Sequence, residues 1–247
     1  IGLSTALHPD FGAGLYQNAP IGIPYVVVST SQARVAMNWT AYGDESEPGP
    51  YPVPANAPVE GGSAGTGDRH VLVIDRDNNR LYELFRAFVN PNGSWNADCG
   101  AVFHFDSNIV RPGGQPGWTS ADAAGLPIFP GLARYEEFQK GEIDHAIRFT
   151  VERSRKAFAY PARHYASDDT SASLPPMGLR VRLKDSVDVS RFGPQSRVVL
   201  HALQRYGMLL ADNGADWYIS GAPSPGWDND DLHGLHKITG RDFEVVD

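Results

Sequence analysis

Short β-compatible runs alternate along the whole chain with glycine- and proline-rich connections, and this punctuation is what most limits the fold. Tyr25–Ser29, Arg34–Ala41, Arg69–Asp75, Arg80–Phe88, Cys99–Asp106, Ile143–Glu152, Ala157–Ala162, Gly178–Lys184, Met208–Asp212 and Asp216–Ser220 carry the alternation or the β-branched and aromatic content of strands. The 26 Gly and 19 Pro residues supply turns between them. Helical periodicity is scarce. Ser196–Tyr206 has Val199, Leu203 and Tyr206 on one face, Ser196 to cap it and Gly207 to end it. Leu132–Phe138 and Asp230–His236 read as short helices. The expected fold is all-β and mainly antiparallel, a single β-sandwich or jelly-roll-like domain over 1–247 with one or two short helices. A long N-terminal wrap and a Pro/Gly/Ala-rich loop over 45–67 complete it, the loop being placed at the rim of a cleft.

The clearest local element is a hairpin. Arg69–Asp75 and Arg80–Phe88 flank Arg76-Asp77-Asn78-Asn79, whose Asp and Asn residues tolerate left-handed turn conformations. On its second strand Leu81, Glu83 and Phe85 share a face, so Glu83 stands between two hydrophobes. In Ile143–Val151, alternation puts Ile143, His145, Ile147, Phe149 and Val151 on one face and Asp144, Arg148 and Thr150 on the other.

Charge and composition remove several function classes. A net charge of −8 lacks the basic footprint that nucleic-acid binding requires, and it favours a neutral or cationic partner over a polyanion. The lone Cys99 permits no intramolecular disulfide and no Cys-rich zinc site, and reads as a buried, inert thiol. Neither HxH nor HExxH spacing occurs, so no metal and no cofactor is expected. No apolar run reaches the ~18 residues of a membrane span. The chain begins at Ile1, not Met, and the expectation is that a leader or tag preceded it. Phosphate loops, dinucleotide fingerprints and the GxSxG elbow are missing, which weighs against phosphoryl transfer, hydride transfer and α/β-hydrolase chemistry.

Ionisable and aromatic residues crowd into a few words of sequence, as in a cleft that grips a polar ring. Glu83, partly desolvated by Leu81 and Phe85, suits a general acid, or else pairs with Arg80 or Arg86 on a solvated face. Asp122, in the small-residue segment after Trp118, is either a base or nucleophile or a helix cap. His145 can tune a carboxylate or serve as a hydrogen-bonded core residue. Asp212, at a strand end before Asn213-Gly214, is a catalytic candidate or a turn former. Asp228, Asp230 and Asp231 beside Trp227 read as a helix N-terminus or as a calcium-leaning oxygen cluster. Trp39, Arg111, Trp118, Tyr218 and Trp227 are the candidate substrate-binding residues, since flat aromatic rings stack on sugar faces.

The words Ser120-Ala121-Asp122-Ala123-Ala124-Gly125-Leu126-Pro127, His145-Ala146-Ile147-Arg148-Phe149-Thr150 and Ala211-Asp212-Asn213-Gly214 resemble those of secreted, largely uncharacterised proteins of environmental and soil bacteria. The resemblance spans Gly22 to Asp247. It implies export and one β-rich domain, and it transfers no catalytic residue.

These readings converge on an expectation: a secreted bacterial glycoside hydrolase, monomeric, cleaving a β-linked, glucan-type polysaccharide in an open cleft. Glu83 is the expected acid and Asp122 the nucleophile or base, tuned by His145 or Asp212. A carboxylate separation of about 5 Å implies retention and roughly 6.5–9.5 Å inversion. The rivals are a polysaccharide lyase, with His145 or Tyr218 as base and Arg111 or Arg148 on a uronate, and a non-catalytic carbohydrate-binding module.

Overall fold

Pairing sorts the β-runs into two principal sheets. The computed structural model of the chain describes residues 1–246. In chain order its main strands are β1 (His8–Asp10), β2 (Tyr25–Val28), β3 (Val71–Asp75), β4 (Arg80–Phe85), β5 (Cys99–His104), β6 (Ile147–Val151), β7 (Arg180–Leu183), β8 (Met208–Asn213), β9 (Tyr218–Ser220) and β10 (Phe243–Val245). One sheet has six strands in the order β1-β9-β6-β8-β7-β10, the other four in the order β5-β4-β3-β2. Its α-helices are α1 (Tyr135–Lys140), α2 (Pro194–Arg205) and α3 (Asn229–His233).

The fold is mainly β, and antiparallel pairs outnumber parallel ones. Parallel pairs nevertheless occur between β1 and β9, β6 and β8, and β2 and β3. Parallel neighbours cannot be joined by a tight turn, and the connection from β6 to β8 runs through β7 and α2. The hairpin forms as expected: β3 and β4 pair with Asp75 opposite Arg80, and Asn79 takes the left-handed conformation at φ 52°. Asp75 closes the turn by accepting from the Asn78 side chain at 2.8 Å.

Several expected boundaries move. The strand expected from Ile143 begins at Ile147, and the run Ala157–Ala162 contributes only a bridge from Phe158 to Met177. Helix α2 starts at Pro194, whose missing N–H costs nothing at that position. Ser196 therefore lies inside the helix, and the carboxylate of Asp231 accepts the Gln195 and Ser196 N–H groups in its place. Asp228 caps α3 by accepting from Asp230 and Asp231 N–H at 3.0 and 3.1 Å, so the acidic word after Trp227 is a helix start.

Burial divides the molecule into layers. Ile147, Phe149 and Val151 of β6, with Met208 and Leu210 of β8, face a core shared with α2 and α3. Val71, Val73, Tyr82 and Leu84 face a second core with Tyr51, Val53 and Trp95. The 45–67 loop is thus tied down by Tyr51, Val53 and Ala57, all buried. Leu72 of β3 packs instead against Ile23, Ala121, Ile128 and Leu132, a third cluster. The segment 119–132 is held from both sheets: Arg148 of β6 pairs with Asp122, and Glu83 of β4 accepts from Ile128 and Phe129.

Candidate active site

Alternation and register give the six-stranded sheet one apolar face and one polar face. β1 and β9 run parallel with His8 opposite Tyr218 and Asp10 opposite Ser220, so these four share the polar face. Thr150 of β6 lies opposite Tyr218, and Arg148 follows on the same face two residues away. Strict alternation along β8 would send Asp212 to the core side with Met208 and Leu210. The register shifts instead: Phe149 pairs with Leu210, while Thr150 pairs with Asp212. The extra residue, Ala211, makes a β-bulge that re-aims Asp212 onto the face of Arg148 and Thr150. Ala124 N–H donates to the Ala211 carbonyl at 2.9 Å and so fixes the bulge from segment 119–132.

That face floors a cleft of about 110 Å³. Its walls include Asp10, Asp212, Arg148 and Tyr218 from the sheet and Glu60, Asp68 and His70 from the connection opposite. His70 is buried, with Nδ1 2.6 Å from Glu60 and Nε2 3.1 Å from the Ala121 carbonyl. Burial alone would lower the His70 pKa, but Glu60 outweighs it and lifts the imidazole to about 9. Glu60 is correspondingly held below the usual carboxylate range against the effect of its own burial. Arg148 is buried and stays charged. Its Nε donates to Asp122 at 3.0 Å, Nη2 reaches the other oxygen of Asp122, and Nη1 donates to the Ser220 hydroxyl.

Asp212 differs from these paired groups. Its Oδ1 accepts from the Asn213 N–H at 2.7 Å, and among the described residues no cationic side chain bridges to it. Burial, then the charge of Asp122, pushes its carboxyl up to about 7. Asp10, at the more open end, is also raised, by partial enclosure and then by Glu60. A carboxylic acid that keeps its proton near neutrality, in a polar cleft with an ionised carboxylate nearby, has the properties of a general acid. Tyr218 presents a flat wall, its ring stacked on His8 at 4.0 Å. His236 lies tilted against His8 and meets His233 edge-on, and burial and the neighbouring histidines hold His8 and His236 below the ordinary histidine value.

The structure separates the sequence candidates. Asp212 and Tyr218 line the cleft. Glu83 and Asp122, expected to face one open cleft, are fully shut off from solvent. Burial raises Glu83 to about 7, but both its oxygens accept from Ile128 N–H at 2.9 Å and Oε1 also accepts from Phe129 at 2.8 Å. Asp122 is occupied by Arg148. Both carboxylates are clamps. His145 lies before β6 and binds Glu137 of α1 at 3.0 Å. Arg111 is buried and donates to Glu47 and to the carbonyls of Glu45 and Thr119, so it pins loops together. Trp118 lies beside it, 5.5 Å from its guanidinium. Trp39 packs edge-on to Tyr51 beside the four-stranded sheet, and Trp227 is 4% exposed in the α2/α3 core. None of these four lines the acidic cleft.

Asp10, Glu60, Asp68 and His70 are the cleft residues that sequence reasoning did not assign. The signals were a short alternating His8-Pro9-Asp10 run and acids bordering the hairpin, neither of which shows what it will face. A second cavity, of about 540 Å³, lies on the other side of segment 119–132 between Leu81 and Phe103 of one sheet and Leu209 and Ala211 of the other. Arg148 reaches the walls of both. Among the described residues no group of three or more His, Cys, Asp or Glu side chains is placed to hold a metal ion, and no helix is long and apolar enough to cross a membrane. Comparison of the chain with protein-family models, with curated proteins and with solved structures gives no match.

Proposed function

We propose that the chain is a glycoside hydrolase that works by acid–base chemistry in the acidic cleft, with Asp212 as proton donor and Asp10 as the ionised partner. The observation that carries this reading is Asp212, turned into the cleft by the bulge and holding its proton up to about pH 7. Protonation of a glycosidic oxygen needs such a group, and the opposing step needs a carboxylate that has lost its proton. The ring of Tyr218 offers a stacking surface for a sugar. Arg148 orients Ser220 and neutralises Asp122, which keeps the floor of the cleft rigid.

In this proposal the substrate is a β-linked polysaccharide, met outside a bacterial cell. The two sheets would then form a sandwich-like frame whose buried middle carries the acid network. The acid-lined walls weigh against a uronate and hence against a lyase, since like charges repel in a partly desolvated cleft.

The test is incubation with β-glucans, xylan, mannan, chitin and uronans, following reducing ends, product masses and the absorbance of any new double bond. Reducing ends that disappear in both Asp212→Asn and Asp10→Asn support the reading. Unsaturated products would make the protein a lyase. Retention on a polysaccharide with no product from any substrate would make it a binding module.

A further inference from the structure

Against the Tyr218 wall of the cleft stands a cluster of three imidazoles that the proposed chemistry does not use. Parallel pairing sets His8 directly opposite Tyr218, and the two rings lie face to face, their centres 4.0 Å apart and their planes within 6° of parallel. His236 is tilted against the His8 ring at 4.7 Å, and His233 meets His236 edge-on at 4.2 Å. Among the described residues no hydrogen bond fixes the Tyr218 hydroxyl, so the position of its ring depends on packing, and His8 is the ring it packs on.

Two nitrogens in this cluster, His8 Nδ1 and His236 Nε2, are closed off from solvent and meet no hydrogen-bonding partner. In a neutral imidazole such a nitrogen can be the unprotonated one, and the cost of leaving it alone is modest. A protonated imidazole carries N–H on both nitrogens, so each orphan becomes a buried, charged donor without an acceptor. The surroundings offer limited relief. Burial, with His233, opposes a charge on His8 and outweighs Asp10 and the Pro9 carbonyl, which favour it. Burial, His8 and His233 all act against a charge on His236. The elements packed against β1 contribute Tyr218 from β9, Asp230, Asp231 and His233 from α3, and His236 and Lys237 from the turn Gly234–Lys237. Asp231 is committed to the start of α2, and Asp230 and Lys237 are exposed. The Tyr218 ring and Asp10 can accommodate one cation at His8. Two cations on rings 4.7 Å apart repel each other and need water at the orphaned nitrogens.

We propose that His8 and His236 form a proton-operated catch on Tyr218. With both rings neutral, the stack holds Tyr218 as a wall of the cleft; with both protonated, the histidines separate to reach water and the wall is released. The consequence for sugar binding rests on the glycosidase reading, and the coupling of Tyr218 to the histidines does not. His8 is a positioning residue, acting through the ring it holds. Release of that ring weakens binding, so KM rises toward acid. Protonation of Asp10, the other acid-side event in the proposed hydrolysis, falls on kcat instead.

Proton NMR of the whole chain, following Tyr218 and the three histidines across about pH 8 to 5 where histidines titrate, tests the catch. The Tyr218 ring signals should move with the midpoint of His8, below the unfolded value of 6.5. His8→Phe keeps a flat, neutral ring against Tyr218 and should abolish the movement. His236→Gln, at a half-buried position, removes one of the two charges and should shift the movement to lower pH. On the polysaccharide cleaved, KM of the parent should rise about three- to tenfold from about pH 7 to about 5, as loss of one aromatic contact produces. In His8→Phe it should stay flat, while both proteins keep the same fall in kcat. For a sugar bound and not cleaved, calorimetric affinity takes the place of KM. Tyr218 signals that stay still while His8 titrates overturn the inference, as does a rise in KM that His8→Phe leaves in place. Joint titration of Tyr218 and His8 in a chain that cleaves nothing upholds the catch and removes the hydrolase.

Discussion

Arg148 reaches Asp122 with two of its nitrogens, and that pair joins the six-stranded sheet to a segment that Glu83 holds from the four-stranded sheet. The bridge ties the floor of the cleft to segment 119–132. Its parts are buried, so removal of one partner strands a charge. Arg148→Met should cost roughly 3–5 kcal/mol and Asp122→Leu a comparable amount, with the double variant well short of the sum. Glu83→Ala, which leaves the Ile128 and Phe129 N–H groups without acceptors, should cost about 1–3 kcal/mol for each. Denaturant unfolding of the four variants measures this. Additive losses in the Arg148 and Asp122 pair would show that the two residues act separately.

In the proposed hydrolysis Asp212 would govern the alkaline side of the activity profile. Its protonated form would be the working one, so kcat/KM should fall as pH rises through about 7. Asp212→Asn should lower kcat by about 100- to 10,000-fold, the range that loss of a general acid produces, with the melting temperature little changed. A variant that keeps its rate would remove Asp212 from the chemistry.

His70 contributes stability with the opposite slope from an ordinary acid pair. Its folded pKa, about 9, lies above the unfolded value of 6.5, so the folded chain holds the proton more tightly than the unfolded one. That contribution is complete below pH 6.5 and is lost as pH rises toward about 9. His70→Gln should flatten this part of a melting-temperature profile.

His8 and His236 act at lower pH. Both are held below the unfolded value of 6.5, so their contribution is present above 6.5 and is lost as pH falls below it through their folded values. Glu60, also lowered, adds a loss that starts below its unfolded value of 4.5. The double variant His8→Gln/His236→Gln should retain more of its pH 7 stability at pH 5.5 than the parent does, measured by thermal unfolding. An unchanged acid limb would place the titrating groups elsewhere.

Trp227 tests the core assignment directly. It sits edge-on to Phe11 and Tyr135 at 5.0 and 5.2 Å and donates from Nε1 to the Ala222 carbonyl at 3.0 Å. Trp227→Ala should cost about 3–5 kcal/mol, a fall of roughly 6–20 °C in melting temperature. Affinity for any sugar, per folded molecule, should stay unchanged, which a subsite tryptophan would not allow.

Much of this was legible locally. The β3–β4 hairpin follows from its Asp/Asn turn, the two faces of β6 follow from alternation, and the stop after α2 follows from Gly207. Asp212 stood out as an acid at a strand end. What composition and spacing could not reveal was which faces meet. Glu83 lies between two hydrophobes in both a catalytic and a structural setting, and only the arrival of Ile128 and Phe129 N–H groups at its oxygens decides between them. Trp118 and Trp227 share polar, Gly-rich surroundings in sequence, yet one packs on Arg111 and the other enters the core.

The sequence by itself determined the short strands, the turns between them, the scarcity of helix and the acidic balance, because each depends on neighbours a few residues apart. Tertiary structure alone decided that Asp10, Glu60, His70, Arg148 and Asp212 share one cleft. Asp10, Arg148 and Asp212 come from distant parts of the chain and meet through parallel pairing of β1 with β9 and of β6 with β8, while Glu60 and His70 close the cleft from the connection opposite. Such pairing joins residues far apart in sequence and leaves no periodic trace in either strand. The bulge at Ala211 completes the point: it reverses the side on which Asp212 emerges, and its carbonyl is held by Ala124, 87 positions earlier in the chain.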